Sequence, residues 1–300
     1  MQNSPRLRAI LLALFVTFLW STSWVLVKRT LSEISPLTFA GLRYTMAFLM
    51  LLPGLWKHKT AVRTLTATDW KRLIGLGVVF YTLTQGGQFV TLDHLEAVTF
   101  SLMLNFTTVL VAVFGILFLR ETPNRMQWWG MALFLGGALV YFSPTAVSNN
   151  SWLGYVLGGL TVCANAAASV LGRSVNREAK IPPLVITVIS MGVGSLILLG
   201  AGLIVEGLPH ITLSVWGVIA WLAAVNTAFA FLLWNKTLQV LSAVESSIVN
   251  NTMLIQIAVL AWLFLGETLA ARAIIGLVLA AVGALIVNLK PAVSTASEKE

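Results

Sequence analysis

The residues that could bind a ligand are uncharged amides, hydroxyls and aromatic rings set inside long apolar segments. Tyr81, Thr84, Gln85 and Gln88 follow one another at offsets of 3, 4 and 7 from the first, which places them on one helix face. Polar side chains inside a bilayer are costly and usually face a bundle interior or a water-filled cavity. Three large polar side chains exceed what packing requires, so this stripe predicts a cavity wall.

Other apolar segments carry similar groups. The remaining members of the predicted substrate site are Trp20, Asn105, Asn165, Asn226, Trp234, Asn250 and Asn251. Asparagines also join membrane helices through hydrogen bonds worth about 0.6 kcal/mol each. For Asn105 and Asn251, helix joining and cavity lining therefore stay open alternatives. Trp20 lies near the middle of its segment, which favours the cavity over the tryptophan belt at the membrane surface.

A neutral pocket of amides and aromatic rings suits a small zwitterion. Amides can hydrogen-bond both an ammonium and a carboxylate group, and aromatic faces accept apolar or cationic groups. The sequence has no H-x₃₋₅-H or HExxH spacing for a metal, and His58, His94 and His210 fall in predicted loops. We therefore predict no metal, no cofactor and no enzymatic activity; a membrane-embedded enzyme is the less favoured alternative, since it would need a buried general base.

Arg43 is the one basic residue inside a predicted membrane span. We predict a structural ion pair with Asp93 or Glu96, or a gate; the alternative is attraction of a substrate carboxylate. No Asp or Glu lies securely at mid-membrane in the sequence, and proton-coupled carriers commonly use a buried carboxylate or histidine. Transport by facilitated diffusion, without obligatory proton coupling, is the resulting expectation.

The composition indicates a membrane protein. The chain has 300 residues, 58% of them hydrophobic and 10% charged, with a mean hydropathy of +0.88, whereas globular chains carry about 25% charged residues. Apolar segments of about 20 residues without strict alternation predict helices rather than barrel strands. The ten predicted spans are 9–27, 37–56, 73–92, 97–119, 126–143, 152–172, 184–205, 213–235, 246–265 and 271–289.

The basic residues predict the orientation. With the N-terminus inside, 15 Lys and Arg residues lie on the inner side and three on the outer side. This bias places both termini in the cytoplasm. The net charge of +8 then reflects topology and attraction to anionic lipid, and the basic residues sit in short loops, which argues against a nucleic-acid partner.

The chain repeats itself at an offset of 146 residues. Between 95–140 and 241–286, 17 of 46 positions are identical, including Asn105/Asn251 and Glu121/Glu267. Each half has five spans, an odd number, so the halves enter the membrane from opposite sides. The predicted fold is an all-α membrane protein of ten transmembrane helices, built as two inverted five-helix repeats around a central cavity. The predicted boundaries are 1–146, 147–290 and a cytoplasmic tail at 291–300.

Inverted repeats can exchange conformations, which turns an inward-open state into an outward-open one. Alternating access is therefore the predicted mechanism. A duplication that only built a larger bundle is the structural alternative. A channel is less favoured, because no charged ring is repeated along the chain.

Several motifs resemble the EamA-type family of the drug/metabolite transporter superfamily. They are Trp20–Ser21, Pro36 with Arg43, and Gly266–Thr268. The first half departs from the last motif with Arg120 in place of Gly266. The resemblance covers nearly the whole chain, and within the superfamily the chain resembles in particular the YddG-type amino-acid exporters of bacterial inner membranes.

The resemblance implies an alternating-access carrier that exports aromatic and other neutral amino acids across the bacterial inner membrane. It implies a small-molecule substrate and the lipid bilayer as partners, with no obligate protein partner. A carrier of other small metabolites or drugs is the alternative. Sugar-nucleotide phosphates would call for several intramembrane Lys or Arg residues, and only Arg43 is present.

Overall fold

Ten helices form the molecule over the residues that the structure describes. This computed structural model describes residues 4–30, 33–92, 94–95, 97–143, 152–209, 211–265, 270–289 and 293–294. The helices are α1 Ser4–Thr30, α2 Pro36–Leu51, α3 Ala67–Leu92, α4 97–119, α5 Arg125–Phe142, α6 Trp152–Asn176, α7 Pro183–Glu206, α8 Leu213–Thr237, α9 243–265 and α10 Ala271–Leu289. In these ranges nine helices are long and apolar enough to cross a bilayer, and α5, with 18 residues, packs along α10. The predicted fold of two inverted five-helix repeats is confirmed.

Three helices begin with side-chain contacts to free backbone groups. Thr66, Asn124 and Ser242 each accept a hydrogen bond from the backbone N–H three residues later, in capping boxes that start α3, α5 and α9. α2 ends at Leu51 and α3 begins at Ala67, both earlier than the predicted 56 and 73, and the chain between them contains a 3₁₀-helix at Leu52–His58 and a short helix at Lys59–Arg63.

The first helix begins and the last helix ends at the same face of the bundle. Arg6 Nη1 in α1 donates a hydrogen bond of 3.4 Å to the carbonyl of Leu289 at the end of α10. The two-residue strands β1 (Glu121–Thr122) and β2 (Val293–Ser294) also pair there, antiparallel. We call this face the N-face, because α1 begins there. The predicted boundary between residues 146 and 147 lies outside the described residues.

The two halves depart from regular α-helix at equivalent positions. α3 is a π-helix over Gly77–Gly86 and α8 over Leu222–Phe229, segments that nearly superpose at the 146-residue offset. α4 and α9 are interrupted at Phe106 and Thr252, which are related by that same offset. Because π-helical turns cluster at functional sites, these irregularities point to the region that α3 and α8 enclose.

Four glycines bring α5 and α10 into backbone contact. Gly130 and Gly137 repeat as Gly276 and Gly283. A Cβ at Gly137 would meet the backbone N of Ala280 at 2.4 Å, and one at Gly283 would meet the backbone N of Phe134 at 2.5 Å. These reciprocal contacts run antiparallel and follow the pseudo-twofold relation between the halves. Close approach of small residues is a main source of helix association in membranes.

Replacing Gly137 with alanine is expected to lower the melting temperature in detergent by several degrees, because the added methyl group overlaps backbone atoms of α10. Gly136→Ala is the matched control, since nothing lies within 4 Å of a Cβ at Gly136. Alanine at that position should be neutral or stabilising by up to about 1 kcal/mol. Equal melting temperatures for the two variants would contradict the close contact.

Candidate functional site

A cavity of about 270 Å³ lies between α1, α2, α3, α6, α7, α8 and α9. Seven of the predicted site residues line it: Trp20, Tyr81, Gln85, Gln88, Asn165, Trp234 and Asn250. Thr84, which the same stripe included, donates instead to the carbonyl of Val79 in its own helix, 2.9 Å away. The polar stripe of α3 therefore lies along the cavity, as predicted. A role of these residues in substrate binding stays a prediction.

Asn105 and Asn251 meet where α4 and α9 are interrupted. Asn251 Nδ2 donates to Thr108 Oγ1 at 2.8 Å and to the carbonyl of Asn105 at 3.5 Å. Asn105 Nδ2 donates to the carbonyl of Ser101 at 2.8 Å. The two alternatives for this repeated pair are helix joining and cavity lining. In the structure both residues lie between helices, and neither is among the residues that line the cavity.

Asn226 also joins helices. Its Nδ2 donates to the carbonyl of Leu19 and to Thr22 Oγ1 in α1. Its backbone carbonyl accepts a 3.0 Å hydrogen bond from the Trp20 indole. Asn226 therefore orients a residue of the cavity wall while its own side chain lies between α8 and α1.

Equivalent positions of the two repeats line the cavity together. The pairs at the 146-residue offset are Ser23/Ser169, Tyr44/Ser190, Gln85/Phe231, Gln88/Trp234, Phe89/Asn235 and Leu92/Leu238. The cavity therefore lies on the pseudo-twofold axis of the inverted repeat. Residue types differ within most pairs, so the wall is symmetric in position but not in chemistry.

An aromatic cluster surrounds Phe231 at the cavity wall. The ring of Phe231 lies 5.1 Å from Trp20, 5.5 Å from Phe80, 5.5 Å from Tyr81 and 6.2 Å from Tyr44, between ring centroids. Tilted and edge-on arrangements such as these are favoured for aromatic pairs. The sequence analysis missed Phe231 and Tyr44. The repeat could have found Phe231, because it is the equivalent of Gln85.

The π-helix of α8 positions Arg43. Arg43 Nε donates to Thr227 Oγ1 at 2.8 Å, and Nη2 donates to the carbonyl of Asn226 at 3.4 Å. The Thr227 hydroxyl in turn donates to the carbonyl of Leu222, five residues earlier. The guanidinium is thus fixed against the irregular part of α8 and lines the cavity. Asp93 and Glu96, the predicted ion-pair partners, lie outside the described residues.

The N-face end of the cavity is closed by buried polar contacts, which we call the N-face seal (Glu121, Arg173, Leu238 and Ala243). Arg173 Nε in α6 donates to Glu121 Oε1 at 2.8 Å, and Arg173 Nη1 donates to the carbonyl of Leu238 at 2.7 Å. Glu121 Oε2 accepts from the backbone N–H of Ala243 at 2.9 Å. The ion-paired side chains are only 14% and 8% exposed. Glu121 and Arg173 together therefore join the end of α4 to α6, α8 and α9.

A second layer of contacts supports the seal. Asn176 Nδ2 donates to Asn235 Oδ1 at 2.8 Å, and Asn235 Nδ2 donates to Thr187 Oγ1 at 2.9 Å, which connects α6, α8 and α7. Arg6 forms an ion pair with Glu245, joining α1 to α9. Asn235 and Leu238 belong both to these contacts and to the cavity lining, so the closed face lies directly beneath the cavity.

A cavity on the twofold axis of inverted helical repeats, closed at one face by polar contacts, defines a membrane transporter. The profile of the EamA-like transporter family matches residues 7–143 and again 152–289, so the chain belongs to this family of the drug/metabolite transporter superfamily. Both halves of the chain match separately, as expected from the internal repeat.

Relatives of the chain are transporters by name. It is 26% identical to the uncharacterized transporter YvbV of Bacillus subtilis, over 97% of this chain and 94% of the relative. It is 26% identical to the S-adenosylmethionine/S-adenosylhomocysteine transporter of Chlamydia muridarum, over 87% and 85%. A solved crystal structure with 18% identity matches 93% of this chain and 96% of its own with a TM-score of 0.75, which shows a shared fold.

Proposed function

We propose that the protein exports amino acids, aromatic and other neutral ones, across the bacterial inner membrane by alternating access. The observation that carries this proposal is the lining of the cavity. It combines amide side chains at Gln85, Gln88, Asn165 and Asn250 with the rings around Phe231. Such a wall can hydrogen-bond both ends of a zwitterion and hold a variable apolar side chain.

The proposed transport cycle alternates the closed face. The N-face seal closes one end in the present arrangement, and its contacts must break before that end can open. The carboxylates Glu121 and Glu245 are buried in ion pairs of that face, away from the cavity lining. Described residues of the lining include no Asp, Glu or His, which supports facilitated diffusion without obligatory proton coupling.

The proposed orientation places the N-face in the cytoplasm. The excess of basic residues in the loops at that face supports this assignment. Export, rather than uptake, would then follow from the outward gradient of amino acids, since a passive carrier has no intrinsic direction.

Counterflow in liposomes tests the proposal. Liposomes with the purified protein and preloaded with unlabelled phenylalanine should accumulate labelled phenylalanine transiently, with no pH gradient or membrane potential. An enzyme gives no counterflow and a channel gives no trans-stimulation. Absence of exchange for every amino acid in a panel would refute amino-acid transport, and exchange only with an imposed pH gradient would refute facilitated diffusion.

A second candidate is a larger metabolite that contains an amino-acid group. It is favoured by the relative named as an S-adenosylmethionine/S-adenosylhomocysteine transporter. Including S-adenosylmethionine in the same panel separates the two, because a cavity of about 270 Å³ should accept phenylalanine more readily than a nucleoside derivative. Preferred exchange of S-adenosylmethionine would favour the second candidate.

A further inference from the structure

We infer that Arg43 binds the anionic group of the substrate, and that transport requires this group but not an ammonium group. The inference rests on the proposed function, because it assumes that the cavity is the substrate site. It deepens that function by naming the chemical class of substrate: small molecules with one anionic group and an apolar or aromatic body, with or without an ammonium group.

The geometry of Arg43 leaves part of its guanidinium available to a ligand. Nε is held by Thr227 and Nη2 by the carbonyl of Asn226, at 2.8 and 3.4 Å. Nη1 has no hydrogen-bond partner among the described residues, and the side chain lines the cavity. Both hydrogen bonds are to neutral oxygens, and the Tyr44 ring, whose centroid lies 5.7 Å from Arg43 Cζ, carries no formal charge. These contacts orient the cation without pairing it with a negative charge.

Arg43 has no counter-charge among those residues of the cavity wall that the structure describes. Among the lining residues that the structure describes there is no Asp or Glu, and the three ion pairs found in the described ranges involve other residues. An uncompensated cation inside a bilayer is costly. A bound carboxylate, phosphonate or sulfonate would compensate it, and hydrogen bonds between arginine and an anion are among the stronger ones in proteins.

The rest of the wall tolerates an ammonium group without demanding one. Amide oxygens of Gln85, Asn165 and Asn250, and the nearby aromatic faces, can receive an ammonium. These neutral groups equally accept water or an apolar substituent in its place. The ammonium would also be repelled by Arg43 if it approached the same end of the cavity. Aryl-alkanoic and 2-oxo acids therefore fit the site as well as amino acids do, and aryl-alkyl amines do not.

A purely structural role of Arg43 makes a different prediction. The hydrogen bond to Thr227 joins α2 to α8, so loss of Arg43 could lower stability alone. In that case transport of every substrate would fall together with the amount of folded protein. A ligand-binding role changes the ratio of rates between analogues with and without a carboxylate, and this ratio does not depend on protein amount.

The test uses counterflow of four labelled compounds in liposomes: phenylalanine, phenylpropanoate, phenylalanine amide and phenethylamine. The exchange rate of phenylpropanoate is expected to lie within about fivefold of that of phenylalanine. The two compounds without a carboxylate should exchange at least about tenfold more slowly, as loss of a hydrogen bond to a charged group predicts. Arg43→Gln should reduce the ratio of phenylalanine to phenylalanine amide about tenfold. Arg43→Lys keeps the charge but not the planar guanidinium group, so its ratio should lie between those of the unmodified protein and Arg43→Gln.

Arg272→Gln serves as the matched control, because Arg272 is an exposed arginine at the start of α10 and outside the cavity lining. Its selectivity ratio should equal that of the unmodified protein. Rapid exchange of phenethylamine, or an unchanged ratio in Arg43→Gln, would overturn the inference while leaving amino-acid transport intact. Exchange of phenylpropanoate but not of phenylalanine would refute amino-acid transport and would support the anion-binding role of Arg43.

Discussion

Glu121→Gln is expected to open the cavity towards the N-face. The substitution removes the charge that compensates Arg173 and weakens the acceptor for the N–H of Ala243. Loss of one partner of a buried ion pair costs about 3–5 kcal/mol, and a factor of ten in a population corresponds to about 1.4 kcal/mol. In the proposed cycle these contacts break when the N-face opens, so the equilibrium should shift towards the open form.

Cysteine accessibility measures this shift. Ser246→Cys places a thiol in the cavity lining next to the seal, in a Cys163→Ser background that removes the native exposed thiol. A membrane-impermeant maleimide applied from the N-face should label this cysteine at least about tenfold faster when Glu121→Gln is added. Retained counterflow by the same variant would show that the faster labelling does not come from unfolding.

Glu178→Gln is the matched control at the same face. Its ion pair with Lys180 has a 2.7 Å contact, but the side chains are 42% and 79% exposed. Exposed pairs contribute about 0–1 kcal/mol, so labelling should match that of the unmodified background. Equal labelling rates in Glu121→Gln and Glu178→Gln would mean that the N-face seal does not hold the closed arrangement.

The membrane architecture could be predicted from the sequence because it depends on features that are long and repeated. Segments of about 20 apolar residues and the 146-residue offset require no knowledge of packing. The same offset explains why α3 and α8 contain π-helices at equivalent places. It did not predict the π-helices themselves. In the structure α3 lies so close to α7 at this place that a Cβ at Gly77 would overlap the carbonyl oxygen of Ser190.

The candidate site could be predicted in part, where polarity alone decides. Gln85 and Gln88 line the cavity because large amides have no low-energy place against lipid. Asn226 shows the limit of this reasoning, because an asparagine can satisfy the same requirement between helices. Phe231 was missed for the opposite reason: an apolar ring at a cavity wall has the same sequence pattern as one facing lipid.

The seal required the three-dimensional structure. Glu121 and Arg173 are separated by 52 positions in the chain. In the other half, the position equivalent to Arg173 is Val27. The position equivalent to Glu121 is Glu267, which lies outside the described residues. The ion pair therefore has no repeated signature. Both residues also lie just after predicted spans, where charged residues of solvated loops ordinarily occur.

Phe231→Ala is expected to abolish most transport and to destabilise the bundle. Phe231 is only 4% exposed, and its ring connects Trp20 to Phe80 and Tyr81. Truncation of a buried phenylalanine to alanine costs about 3–5 kcal/mol, and each lost aromatic pair accounts for about 0.5–1.5 kcal/mol beyond burial. The freed rings should also rotate out of the positions that would contact an aromatic substrate.

Two further variants separate these effects. Phe229→Ala removes a ring two residues away on α8 that is 47% exposed, so its melting temperature in detergent and its counterflow should change little. Phe231→Leu keeps most of the volume and should cost less than about 1.5 kcal/mol, yet it removes the ring. Phe231→Leu should therefore be folded. If the wall contributes aromatic contacts to the substrate, the ratio of phenylalanine exchange to leucine exchange should be about fivefold to tenfold lower in this variant than in the unmodified protein. Parallel losses for the two amino acids would restrict Phe231 to a packing role.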